Sequence, residues 1–340
     1  PGDPIIGQTG GQTFTLTNGT DIATANVFNA PMVYTPNGDD RILSLQDEDV
    51  LTGAVGRTDN TLNATIGQIN ANEGTSGAVT PVLHNIQNIN IDWTGSTTNL
   101  DVRNADATTS ININRVTADA TTVAVSNIGT PAANLRVANT ASDNVNVTFQ
   151  YKTGVLNGAA DTAALELNDV LANSINQTSR ANVEGFETVN LTVANGVDIN
   201  ALSVNDMENL NITGSGDLTI VNLTATANEY DAFAVGGIVN PGAIDLRTVN
   251  ASTFTGNLNV DVSAALGGFV DPTNSGAQAH TVITGGTGND KFWTNAGVAA
   301  TSVTNRDQIN GGAGTNTLVA VGGNIAGNAA ITNIQALELR

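Results

Sequence analysis

Cysteine is absent from this 340-residue chain, which excludes disulfide scaffolding, thiol nucleophiles and cysteine-ligated metals. Basic residues are scarce: 11 Lys and Arg stand against 31 Asp and Glu, a formal net charge of −20. That sign disfavours nucleic-acid binding, which depends on neutralising phosphates. Aromatic residues make up 4% of the chain, and the only two histidines, His84 and His280, lie far apart and read as turn or surface residues. No apolar run reaches the roughly 18 residues of a membrane-spanning helix. Zinc-protease, serine-hydrolase and phosphate-loop motifs are missing from the sequence. No cleavable signal is visible, and a start at Pro1 rather than Met reads as a processed or partial chain.

What is plentiful is glycine, 36 residues, together with Asn, Thr and Ala. That texture suits short strands joined by tight turns, because Gly and Asn tolerate left-handed torsions. With 40% hydrophobic residues in regular spacing, a packed core is expected rather than wholesale disorder.

The most pointed stretch is Gly285-Gly286-Thr287-Gly288-Asn289-Asp290-Lys291-Phe292-Trp293. It fits G-G-x-G-x-D-x-U-x, the nonapeptide of calcium-binding β-helices. Glycines let main-chain carbonyls turn toward a cation, Asp290 adds a carboxylate, and Phe292 starts a strand that enters the core. A second copy, with Asp307 ahead of it, runs through Gly311, Gly312 and Gly314 to Asn316, a neutral oxygen where the aspartate would stand. A third and looser copy spans Asp49 to Leu62 and places Asp59 near the acidic position. Further acidic turns hold Asp39, Asp40 and Asp47. The candidate metal residues are therefore Gly286, Gly288, Asp290, Asp307, Gly312, Gly314, Asn316, Asp21, Asp39, Asp40, Asp47, Asp49 and Asp59, with Ca2+ as the expected ion.

These turns resemble those of the repeats-in-toxin (RTX) family of secreted calcium-binding proteins. Phe14-Thr15-Leu16-Thr17-Asn18-Gly19-Thr20-Asp21 is similar to the opening of RTX-type bacterial S-layer proteins. So are the segments after glycine turns: Asn85-Ile86-Gln87-Asn88-Ile89-Asn90-Ile91, Val183-Glu184-Gly185-Phe186-Glu187-Thr188-Val189-Asn190-Leu191 and Thr332-Asn333-Ile334-Gln335-Ala336-Leu337-Glu338-Leu339. The resemblance covers roughly residues 12–103 and 281–340. It implies calcium-dependent folding, export by a type I system and a place on the bacterial cell surface. It also implies self-assembly into a lattice or filament, with cell-surface polysaccharide or lipopolysaccharide as a further partner through another region.

Between those ends, apolar-polar-apolar triplets begin at Ile89, Leu100, Ile111, Val123, Leu135 and Val145, 10 to 12 residues apart. Later triplets begin at Leu165, Val189, Leu210, Leu218, Ile244 and Leu258. Strands this short bury a face only by stacking, at about 4.8 Å per layer. The expected fold is all-β, a right-handed parallel β-solenoid of RTX type, with a sandwich-like middle portion left open as an alternative. It divides into an N-terminal calcium-turn segment (1–84), irregular solenoid repeats (85–280) and a C-terminal RTX-like segment (281–340), as one elongated unit. Residues 1–12 read as a lead-in, and residues 63–84, 226–243 and 264–280 as loops. Asp161–Ser174 reads as a short helix or as a strand, and Trp93 and Trp293 as core or interface residues.

Three functional classes follow. The first is a structural, self-assembling surface protein without enzymatic activity, and the second is a binding segment of an RTX adhesin. The third, a polysaccharide-active β-helix enzyme, is the least supported, because clustered basic and aromatic residues are missing.

Overall fold

A computed structural model describes residues 12–35, 37–38, 41–67, 77–95, 98–117, 120, 122–131, 134–158, 160–180, 184–224, 246–262, 281–295, 303, 307–321, 325 and 329–340. Its backbone forms two long parallel sheets of thirteen and eleven strands, a three-stranded parallel sheet and a two-stranded antiparallel hairpin. This is a parallel β-solenoid.

The chain visits the two long sheets in turn. Ile89 (strand Asn88–Trp93) belongs to the first sheet and Leu100 (strand Thr98–Asp101) to the second. The triplet spacing of 10 to 12 residues is therefore half a circuit. Full circuits take 22 residues from Ile89 to Ile111 and 24 from Ile111 to Leu135. Insertions at the corners lengthen this to 39 residues between Leu210 and Val249 without disturbing the register.

Inside the first sheet, Phe28, Leu62, Ile89, Ile111, Leu135, Leu165, Leu191 and Ile212 lie on one column, and all are buried. Burying each such side chain contributes roughly 1.5–3 kcal/mol. Alternation does the sorting: in Thr61–Ile66, Leu62, Ala64 and Ile66 are buried while Thr61, Asn63 and Thr65 are half-exposed. A period of two points successive side chains to opposite faces.

Several expectations are corrected. Among the described residues no sandwich interrupts the middle, because strands Thr162–Asn168, Val170–Ser179, Thr188–Val193 and Val197–Val204 all pair in parallel with the adjoining rungs. Asp161–Ser174 is not helical. Its first part is a strand of the first sheet, and Asp169, with φ 57°, turns the chain into the second. The segment 63–84 is no simple loop: it holds the rest of Thr61–Ile66 and the strands Gly77–Val79 and Val82–His84. The Ile244 triplet falls partly outside the described residues, and the strand there is Thr248–Asn250. The expected lead-in and the loops at 226–243 and 264–280 lie almost wholly outside the described residues. Both long sheets run across the expected boundaries at 84 and 280. No described helix is long and apolar enough to cross a membrane.

Candidate functional site

The glycine and Asx turns sit at one corner of the solenoid, where strands Val282–Thr284 and Gln308–Asn310 hand over to Lys291–Asn295 and Thr317–Val321. The two turns lie in adjacent rungs, directly stacked. A Cβ at Gly288 would lie 2.1 Å from the carbonyl oxygen of Gly256, and one at Gly314 would lie 2.1 Å from that of Gly288. Only a Cα–H fits so close a main-chain approach, which is the contact glycine supplies here. Gly286 meets the Phe254 carbonyl in the same way, and Gly312 meets that of Gly286. Gly312 and Gly314 also adopt φ of 77° and 80°, in the left-handed region.

Asp290 is buried, 1% exposed. Its Oδ1 accepts the main-chain N–H of Leu258 at 3.0 Å, and its Oδ2 accepts that of Gly286 at 2.7 Å. One rung on, Asn316 Oδ1 accepts the N–H of Asp290 at 2.9 Å, and Gln335 Oε1 accepts the N–H of Asn316 at 2.6 Å. The Asn316 amide also donates to the carbonyls of Ala313 and Asn333. A second ladder runs beside it in the opposite sense. The N–H of Thr315 donates to Asn289, that of Asn289 to Asn257 and that of Asn257 to Asp217, each at 2.8 Å. Each side chain thus satisfies a corner N–H that no sheet ladder reaches.

The same device recurs at two other rungs. Asn60 N–H donates to Gln87 Oε1, and Asp161 N–H donates to the Glu187 carboxylate. Asn85-Ile86-Gln87, Gly185-Phe186-Glu187 and Asn333-Ile334-Gln335 are therefore one element: a buried apolar residue and an acceptor that caps the previous rung. Ile334 is its half-buried version at the last rung. In the N-terminal rungs Asp21 and Asp49 repeat the pattern. Asp21 N–H donates to Asp49 Oδ1 at 2.8 Å, Gln46 N–H to Asp49 Oδ2 at 2.8 Å and Thr17 N–H to Asp21 Oδ2 at 2.7 Å.

Burial pushes the Asp290 carboxyl above its usual range, against the N–H groups of Gly286 and Leu258 that hold it down. It pushes Asp49 up to about 6, with the carboxylates of Asp21 and Glu48 adding to the rise. Burial raises Glu187 as well.

The other candidate residues do different work. Asp307 accepts the N–H of Thr281 at 3.0 Å, Asp47 accepts that of Thr80 at 2.7 Å, and Asp59 forms an exposed two-pronged pair with Arg57. Asp39 and Asp40 lie outside the described residues. Asp290 comes together with Asn316, and Asp21 with Asp49, but in each pair the bridge is a main-chain N–H.

Calcium needs about six to eight oxygen ligands at roughly 2.3–2.6 Å. Here one turn offers a single carboxylate, Asp290, and the next the neutral Asn316, and the N–H groups aimed at both bring positive partial charge to the place an ion would take. The Cβ position of Gly285 lies 2.3 Å from the Gly311 carbonyl oxygen and 2.5 Å from Asp290 Oδ2, so the glycine Cα–H already fills the point where those oxygens converge. No three His, Cys, Asp or Glu side chains form a metal-holding group among the described residues. In the described turns the inward oxygens of Asp290 and Asn316 are met by main-chain N–H groups.

Sequence reasoning missed Asp217, Asn257 and Asn289 of the second ladder and the capping role of Gln87, Glu187 and Gln335. The signal available was the acceptor two residues after each turn residue Asn85, Gly185 and Asn333. Trp93 is fully buried as expected, whereas Trp293 faces outward with Lys291 Nζ 4.8 Å and the Arg340 guanidinium 5.1 Å from its ring centre.

Fold and corners together define a parallel β-solenoid with hydrogen-bonded Asx turns. No protein-family profile, no curated protein and no solved structure matches the chain.

Proposed function

We propose that this chain is a structural protein of the bacterial cell surface, a self-assembling β-solenoid of an S-layer or surface filament. The observation that carries the proposal is the outward column of the thirteen-stranded sheet. From Thr13 through Val27, Thr61, Asn88, Ser110, Asn134, Ala164, Asn190, Asn211, Asn250, Thr284 and Asn310 to Thr332, no position is charged. In a chain of net charge −20, such a strip lets identical copies approach without the repulsion that keeps them apart elsewhere. The resemblance of Phe14–Asp21 and of the post-turn strands to S-layer proteins supports the same conclusion, and so does a core that continues from rung to rung.

The alternative is an adhesin segment, which would use the same solenoid as a spacer or binding face. Electron microscopy of the purified chain separates the two. Ordered sheets or filaments are expected. Dispersed single particles at high concentration, together with binding to cells or glycans, would favour the adhesin.

A further inference from the structure

We infer that the outer face of the thirteen-stranded sheet is the surface through which two copies of this chain pair. The inference rests on the self-assembly proposed above and specifies where it happens. Three features of the face support it.

The first is charge. Beside the uncharged column runs a second one: Thr15, Asn29, Asn63, Asn90, Asn112, Arg136, Glu166, Thr192 and Thr213. Its only charges, Arg136 and Glu166, neutralise each other at 3.0 Å. The two columns together therefore carry no net charge. The outward positions of the other long sheet, by contrast, include Asp198, Asp261, Lys291 and Glu338. Like-charged molecules meet where repulsion is weak, and these two columns supply such a strip.

The second feature is order. The amides of the second column are aligned by one another: Asn112 donates to Asn90 at 2.9 Å, Asn90 to Asn63 at 2.8 Å and Asn63 to Asn29 at 3.0 Å. In the first column Asn211 donates to Asn190 at 2.9 Å. Each such amide has donor and acceptor capacity left, repeated every strand at about 4.8 Å. Only a surface with the same repeat can meet every row, and a second copy of this chain has it. Stacked identical side chains interdigitate in this way in paired sheets.

The third is size. Each outward residue covers about 4.8 Å by 7 Å, so thirteen in the first column and nine in the second give a strip of roughly 700 Å² per copy. That is about what each partner buries in a standard interface.

The test is sedimentation velocity on the whole chain with charges placed on the strip. The variants are Asn190→Glu/Asn250→Glu, its counterpart Asn190→Lys/Asn250→Lys, and Asn200→Glu/Asn222→Glu on the opposite sheet as the control. Far-UV circular dichroism confirms that each is folded. The wild type and the control are expected to associate alike, and either strip variant alone to associate at least tenfold more weakly. Mixing the Glu and Lys strip variants should restore association. Wild-type-like association of both strip variants, or equal loss in the control, would overturn the face while leaving self-assembly standing. A wild type that stays monomeric at every concentration would remove both.

Discussion

The main-chain N–H of Asp290 donates to the side-chain carbonyl of Asn316 in the next rung, at 2.9 Å. The residue that sequence reasoning marks as the principal calcium ligand is thus tied through its backbone to the residue marked as the weaker one. Both serve the stacking of turns. Asn316 accepts one hydrogen bond and donates two, whereas Asp290 accepts two and carries a buried charge.

That count sets the order of damage. Asn316→Ala strands the Asp290 N–H and the carbonyls of Ala313 and Asn333, and is expected to cost about 2–4 kcal/mol. Asp290→Ala strands two N–H groups but also removes a buried carboxylate, so its cost is expected to be no larger. Asp59→Ala, in an exposed pair with Arg57, should stay within about 1 kcal/mol. Urea unfolding measures all three. A loss for Asp290→Ala far above that for Asn316→Ala would restore Asp290 as a ligand of something not hydrogen-bonded here.

Close approach, rather than torsion alone, explains the glycines. Gly288→Ala places a methyl group 2.1 Å from the Gly256 carbonyl oxygen, which forces two rungs apart and should cost at least about 2 kcal/mol. Gly19→Ala meets nothing within 4 Å and should change stability by less than about 0.5 kcal/mol. Melting temperatures of the two variants check the contrast.

Acidification should strengthen the fold across the mildly acidic range. The Asp49 carboxyl sits at about 6 in the folded chain against 3.8 for the free group, so the folded state binds this proton more tightly than the unfolded one. The stabilisation is full below the unfolded value and is lost as pH rises through about 6. For a shift of this size it amounts to about 2–3 kcal/mol. Asp290 and Glu187 are raised in the same direction. Asp59, Asp101, Asp106 and Glu338 are lowered and work the other way, but only at more acidic pH. A higher melting temperature at pH 5 than at pH 7.5 is expected, with the difference reduced in Asp49→Asn. An unchanged difference in that variant would show that Asp49 is not its source.

Much of the fold is legible in the sequence because apolar alternation is a local signal. Ile89-Asn90-Ile91 and Ile111-Asn112-Ile113 read directly as strands, and they pair in register. The strands Val170–Ser179 and Val197–Val204 escaped because their alternation breaks, between Ala172 and Ile175 and between Ile199 and Leu202, and because inward positions of the first are not all apolar. Gln177 stands in the column between Phe149 and Val204, and it is buried. The site was half legible. Its glycines and its Asp and Asn stand out, but their partners lie a whole circuit away: Asp290 meets Leu258 and Asn316, and Gln335 meets Asn316. A local motif shows the turn and hides the rung above it, so a stacking corner and an ion site look alike in sequence.

Thermal unfolding of the purified chain after exhaustive dialysis against EGTA, followed by circular dichroism and repeated in 5 mM calcium (about the level that saturates extracellular calcium modules), tests the hydrogen-bonded corner most directly. The corner ladders predict a folded β spectrum in EGTA and a melting temperature within about 2 °C of that in calcium, a difference of roughly 1–2 kcal/mol for a chain of this size. An unfolded spectrum in EGTA that becomes β on adding calcium would contradict the account and make the ion, rather than the Asp290–Asn316–Gln335 ladder, what closes the turns.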